Sequence, residues 1–455
     1  MARVLLIQPH EDIRDRKRKV ITFTPLSLIY LGTAIEDTHE VKIYDRNLNN
    51  NDEAFLKFLK KYNPDIIGLT SVVSTILFDV IHLGKLIKKV LPKKIIIVGG
   101  VHATVDPDSL LNEPYVDYVL RGEGEEAFLE FCNTFDENPK KLKDLKNINK
   151  NPLRAFVDMN KLKLPNYNLL DLDKYQKFYI NLTRGCIGNC SFCYNVQMWG
   201  QKGHPYVRAY STEKIIELMG KVIKIYKRKM FFIIDDNFLF FKKRCIDVCK
   251  FLEKYGVNFY SVSRADNVNG EVLEALKKAG CHTLAIGVES GSKRILDLLN
   301  KKVTIQQNIN AIELCKKYKI KCDALFMIGL PTETERDLNE TIKFIKKYNP
   351  DMANMHIYNP IPAKLFDDCV SKGLIEKPTT LQGWANHGGL FRAIQNNVSE
   401  ISNEKLEEAI KEIENFQFFR KKIKRALFWI RLGEFKYVLI KLKEIFRKKN
   451  LGYDF

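Results

Sequence analysis

The chain has 455 residues, 45% hydrophobic and 28% charged, which is enough to bury more than one core and too long for a single ordinary domain. Its formal net charge is +19, but the stretch 416–450 alone holds twelve Lys or Arg against two Glu, a local charge of +10, so the rest is only moderately basic. No apolar run is long enough to span a bilayer or to act as a secretory signal, and ten cysteines are too sparse for a disulfide framework; a cytosolic protein that uses thiols for metal is expected.

In chain order, short β-rich apolar runs alternate with helix-period segments: VLLIQP, LSLIYLGTAIED, VKIYD, NDEAFLKFLKKY, DIIGLTS, TILFDVIHLGKLIKKVL, KIIIVGG, YVLRGE and EEAFLEFCNTF. This predicts five βα units over 1–136. Fully apolar strands such as 95–98 suit a parallel sheet covered on both faces, hence a doubly wound, Rossmann-like (flavodoxin-like) fold with its ligand beyond the carboxyl ends of the strands. Residues 137–175, rich in Lys, Asn and Asp and carrying Pro139, Pro152 and Pro165, read as a linker. A second series over 176–365, from YINLTRG through KMFFIIDDNF, NFYSVSRAD, HTLAIGVES and KCDALFMIGL to DMANMHIYNP, predicts a partial (β/α)6 barrel of the TIM type. Its chemistry would sit at the C-terminal ends of the strands. Residues 366–455 read as a helical C-terminal region with a basic amphipathic tail.

Cys186, Cys190 and Cys193 form C-x3-C-x2-C directly after the first barrel strand. Three thiolates on four irons leave one iron open to a substrate, as a reactive [4Fe-4S] cluster needs. The alternative is a structural zinc site completed by His204. Phe192 between the last two cysteines, and GVESGS, 233–238 and MIGLP at later strand ends, favour iron and sulfur.

The segments RGCIGNCSFCYN, FFIIDDNF, SVSRAD, AGCHTLAIGVESGS, FMIGLPTETERDLNETI and YNPIPAKLFDD resemble, in order and spacing over 179–368, the radical S-adenosylmethionine (SAM) superfamily. The resemblance implies that SAM chelates the open iron and that its reductive cleavage yields a 5′-deoxyadenosyl radical, with an electron donor such as ferredoxin or flavodoxin. It further implies that Phe192 lies by the adenine, that Arg264 pairs with the SAM carboxylate, and that Glu289 takes the ribose or the ammonium. Asp236 or its neighbour Asp235 would face the site, and Gly329 and Leu330 would border the adenine through backbone atoms. For each acid the alternative is a rim ion pair or a helix cap.

Over 1–135, VGGVHATVDPDSLLNEPYVDYVLRGEGEEAFLEF resembles the cobalamin-binding domain that precedes the barrel in one branch of that superfamily. It implies that cobalamin lies against Thr70, Ser71, Gly99, Gly100, His102, Glu123 and Gly124, where small residues admit its nucleotide tail and hydroxyls bond to it. The D-x-H-x-x-G that supplies a cobalt-ligating histidine is absent, since DVIHLG has the wrong spacing, so no cobalt–histidine bond is expected.

The expected activity is methylation of an unactivated carbon, with a cyclase or rearrangement enzyme as the alternative. No nucleic acid is expected, because the methylthiolating relatives that modify RNA need cysteines in a first domain where this chain has only Cys132. In the tail, Phe416, Phe419, Ile423, Leu427 and Ile430, then Phe435, Val438, Leu442 and Ile445 beyond Gly433, predict two basic amphipathic helices. Two readings stay open for them: packing on the barrel, or peripheral contact with the inner face of a membrane and hence a lipid or other hydrophobic substrate.

Overall fold

The computed structural model describes residues 1–17, 20–199, 207–388 and 394–431. The first domain is a five-stranded sheet of β1 (Arg3–Gln8), β2 (Glu40–Asp45), β3 (Ile66–Ser71), β4 (Ile95–Gly100) and β5 (Tyr118–Val119), all parallel, in the order β2-β1-β3-β4-β5. The unbroken apolar character of β1 has a direct cause. Leu5 and Ile7 pack on one face with Phe55, Leu59 and Leu77, whereas Val4 and Leu6 pack on the other with Leu28, Phe128 and Phe131. Alternate side chains go to opposite faces of a strand, so a sheet covered on both sides needs apolar residues at every position. The strand order reverses between β1 and β3, which opens a crevice at the carboxyl edge.

The second sheet contains β6 (Tyr179–Ile180), β9 (Met230–Ile233), β10 (Asn258–Arg264), β11 (Cys281–Glu289), β12 (Lys321–Ile328) and β13 (Met352–Ile357), parallel in that order. It is the six-stranded partial barrel. Between β6 and β9 the chain makes an antiparallel ribbon of β7 (Thr183–Arg184) and β8 (Arg208–Ala209).

Residues 137–175 are not a loose linker. Leu142 and Ile148 are buried in the core of the first domain, and Val157, Met159, Leu162 and Tyr167 in that of the barrel. These side chains act as separate pegs between short 3-10 turns, which is why no helix or strand period is visible in the sequence.

After the barrel the chain returns to the first domain. Phe366, Leu381, Trp384 and Ala385, from the helices Lys364–Ser371 and Leu381–His387, join the core beside the helix Ile76–Val90. The helix Asn403–Arg431 then lays Leu406, Ala409, Ile410 and Ile413 on the barrel, the spacing of one helical face. The first amphipathic helix expected in the tail is thus the far half of this longer one. Phe418 and Phe419 are exposed there, the side chains of 421–431 are not described, and the second expected helix lies outside the described residues. Among the described residues no helix is long and apolar enough to cross a membrane.

Candidate active site

The three cysteines occupy the loop that follows β7, all half-buried. The loop folds around Gly188, whose N–H donates to Cys186 Sγ at 3.3 Å, and a Cβ there would sit 3.4 and 3.6 Å from the sulfurs of Cys186 and Cys190. Arg264, at the end of β10, points Nη1 at Cys190 Sγ, 3.8 Å away. The loop is braced from outside: Ser191 N–H donates to Leu299 O (2.9 Å), Ser191 Oγ to Leu298 O (3.0 Å), and Leu365 N–H to Ser191 O (2.7 Å).

Burial pushes all three thiols up, Cys193 to about 12, partly offset at Cys186 and Cys190 by Arg264. They are therefore thiols until a metal takes their protons. Among the described residues no three His, Cys, Asp or Glu side chains are drawn together closely enough to hold a metal ion, and His204 lies outside the described residues. The donor set, three thiols in one braced loop beside a guanidinium, fits an iron–sulfur cluster.

The residues assigned to SAM surround this loop. Phe192 packs against the apolar group that includes Ile295, Leu299, Leu330 and Tyr358. Gly329 has φ +78°, a conformation that lets the chain turn there. Arg264 is already oriented: its Nε and Nη2 donate to the two carboxylate oxygens of Asp266 at 3.0 and 2.9 Å, and Nη2 to Lys301 O at 2.7 Å. Glu289 is paired with the buried ammonium of Lys301, and a Cβ at Gly287 would overlap both groups. Asp235 and Asp236 divide the two roles left open in the sequence. Asp235 accepts the N–H groups of Leu182 (2.6 Å) and Thr183 (3.1 Å) and so holds the start of the loop, with burial raising its carboxyl to about 6. Asp236 lines the cavity, and burial raises its carboxyl too, against hydrogen bonds from Asn195 and the Gly185 N–H.

A cavity of about 420 Å³ joins the two domains. Thr70, Gly99, Gly100, Glu123 and Gly124 line it from the carboxyl edge of the first sheet, and Gly185, Tyr194, Asn195 and Asp236 from the barrel. Its inner part, between the sheet and two helices, is apolar: Leu6, Leu28, Leu31, Ile97 and Phe128. Gly100 has φ +100°, and a Cβ there would lie 2.5 Å from Ser71 O, so only glycine lets the backbone form this wall. An apolar slot ending in small residues fits the nucleotide tail of cobalamin.

Ser71 and His102 do not line the cavity. Ser71 Oγ donates to Gly99 O (2.7 Å) and accepts from Ala103 N–H (3.3 Å). His102 is buried behind the wall, with Nε2 2.9 Å from Ser109 Oγ and its ring edge-on to Trp384; burial lowers it to about 4. No histidine lines the cavity among the described residues. Glu123 lines it but spends both oxygens on Arg184 and Arg208. Burial works to raise Glu123, and the two guanidiniums hold it below the usual carboxylate value. Lys301, Arg184 and Arg208 carry no signal in the sequence that would single them out, because each matters through a partner distant along the chain.

Residues 180–345 match the model of the radical SAM superfamily and residues 21–131 that of the B12 binding domain. An uncharacterised methyltransferase of Pyrococcus horikoshii is 32% identical, covering 82% of this chain and 84% of that protein. An anaerobic magnesium-protoporphyrin IX monomethyl ester cyclase of Rubrivivax gelatinosus is 29% identical, covering 68% of this chain and 59% of that protein. The solved structure of the radical SAM methyltransferase TsrM of Kitasatospora setae, with tryptophan and a SAM analogue bound, superimposes with a TM-score of 0.69 at 13% identity, covering 82% of this chain and 76% of that one.

Proposed function

This chain belongs to the radical SAM superfamily, with a B12-binding domain ahead of its barrel, and from that premise we propose that it methylates an unactivated carbon of an organic substrate. The observation that carries the reading is a shared cavity: the edge of the first sheet and the residues that flank the cysteine loop are walls of one space. When bound, the cluster delivers the electron that cleaves SAM, and cobalamin supplies the methyl group.

The protein's own part is binding, orientation and exclusion of water. Cys186, Cys190 and Cys193 hold the cluster. Arg264, fixed by Asp266, offers its guanidinium to the SAM carboxylate; Asp236 and Glu289 offer carboxylates to the ammonium and ribose; Phe192, Gly329 and Leu330 take the adenine. Thr70, Gly99, Gly100 and Gly124 border cobalamin. The apolar slot keeps water from the part of the cavity that cobalamin would fill. The electron comes from a low-potential carrier such as ferredoxin or flavodoxin.

Phe418 and Phe419, exposed on a helix that runs into the strongly basic stretch 416–450, support a hydrophobic, membrane-held substrate. The second reading is a cyclisation without net methylation, supported by the likeness to the cyclase of Rubrivivax gelatinosus. Anaerobic reconstitution with iron, sulfide and cobalamin, followed by product mass spectrometry on extracts of the source organism, tests both. A product heavier by one methyl group in place of hydrogen supports methylation. A product lighter by hydrogen atoms supports cyclisation, and reconstituted protein that holds cobalamin but does not cleave SAM refutes both.

A further inference from the structure

Four charged side chains meet where the first domain touches the barrel, and none is used by the cofactor assignments above apart from Glu123. Glu123 and Glu125 stand after β5, at the entry to the helix Glu125–Glu137; Arg184 and Arg208 are register partners across the β7–β8 ribbon. Glu123 Oε1 accepts from Arg184 Nη1 (2.6 Å) and Arg208 Nη2 (3.0 Å), and its Oε2 from Arg208 Nη1 (2.8 Å) and Val157 N–H (2.7 Å). The second arm of Arg184 is paired with Glu125. The guanidinium of Arg184 also lies over the Tyr30 ring, 5.0 Å from its centre, and Tyr30 is in turn bonded to Tyr210 of the barrel at 3.2 Å. The side chains of all four charged residues are at most 10% exposed.

Burying four charges is a poor way to glue two domains, because the desolvation cost offsets most of their attraction and apolar packing does as well. What two guanidinium forks on two carboxylates add is direction: a fork accepts one relative placement and penalises a slip of an ångström. The location gives that direction a use. Arg184 is two residues before Cys186, and the intervening Gly185 bonds through its N–H to Asp236 and lines the cavity. On the other side Glu123 and Gly124 line the same cavity.

We propose that Glu123, Glu125, Arg184 and Arg208 are positioning residues that lock the cobalamin-facing edge of the first sheet to the cysteine loop and so set the separation between the two cofactors. The chemical consequence rests on the function proposed above; the mechanical one does not. Glu123 then acts on cobalamin chemistry through the loop.

The test uses the full chain with Glu125→Gln, which removes one arm, and Arg208→Lys, which keeps the charge and loses the fork. In cofactor-free protein, amide exchange over 184–193 is expected to rise about tenfold in both variants while the strands of the first sheet keep their protection. In reconstituted protein, iron content, cobalamin content and the KM for SAM stay as in the parent, but the product formed per 5′-deoxyadenosine falls several-fold. Unchanged exchange over 184–193 overturns the lock. Raised exchange with undiminished coupling overturns its role in setting the cofactor separation. If the parent makes no methylated product the function reading fails, and the exchange arm still decides the lock.

Discussion

Glu333 offers a test of the barrel in which the direction, size and pH window all follow from its surroundings. It lies fully buried just past β12; one oxygen accepts the Leu330 N–H at 3.0 Å, and the other has no hydrogen-bond partner. Burial raises its carboxyl from 4.5 to about 7, against the pull of the Leu330 and Gly329 N–H groups. Below pH 4.5 the folded and unfolded chains both hold the proton and no penalty arises. Between 4.5 and about 7 only the folded chain holds it, so stability falls as pH rises, and above 7 the whole penalty is present. A shift of this size amounts to about 3 kcal/mol, of which ~2 kcal/mol or more accrues between pH 5 and pH 8. Glu333→Gln keeps the shape and the acceptor for Leu330 while removing the titration. Its melting temperature, followed by calorimetry in steps from pH 5 to pH 8, should gain on the parent as pH rises, by about 4–8 °C at the upper end for a barrel of this size. A difference between the two proteins that stays constant over the range would mean that Glu333 titrates as an ordinary carboxylate and that the reasoning from burial is wrong.

Replacing Cys186, Cys190 or Cys193 singly by Ala should abolish cluster assembly and SAM cleavage while cobalamin binding persists, because the loop lies at the edge of a packed barrel and away from the slot; one active single variant would refute the ligand set. Trp384→Ala should cost about 3–5 kcal/mol, since the buried indole packs between Phe366, His102 and His387 and ties the C-terminal helices to the first domain. Urea unfolding would read the loss, and a change below ~1 kcal/mol would show that those helices do not clasp the domain. The tail is tested by vesicle sedimentation with the full chain and a version ending at Glu414, one residue past Ile413, the last residue buried among the described side chains of that helix. Salt-sensitive binding to anionic vesicles, at about 1 kcal/mol per basic residue near the surface, should vanish on truncation, and equal or salt-insensitive partitioning would remove the membrane reading.

How far the sequence reveals this molecule depends on how local each feature is along the chain. The doubly wound sheet is legible because each strand records its environment in its own residues: Val4 to Ile7 are all apolar since both faces of β1 are covered. The cysteine loop is legible because its three thiols fall within eight residues, so one short motif displays them all. Segment 137–175 is misread as a linker for the opposite reason. Pegs such as Val157, Met159 and Tyr167 bury one side chain at a time into a core made elsewhere, and no period results.

The acids of the site mark the boundary between these two cases. Asp235 and Asp236 are adjacent at the end of a strand, so pattern alone shows that their side chains diverge but leaves undecided which one enters the cavity. Packing decides it: Asp235 is drawn back to the two N–H groups of the chain leaving β6, and this leaves Asp236 to face the cavity. Glu289 and Glu123 are legible as carboxylates at strand ends, yet each has a cationic partner, Lys301 in one case and Arg184 with Arg208 in the other, that only the fold brings near. Such partners change what the acid can do. Glu123, standing in a motif whose resemblance implies contact with cobalamin, has both oxygens committed to guanidiniums of the barrel, and the positioning role proposed for it follows from that commitment.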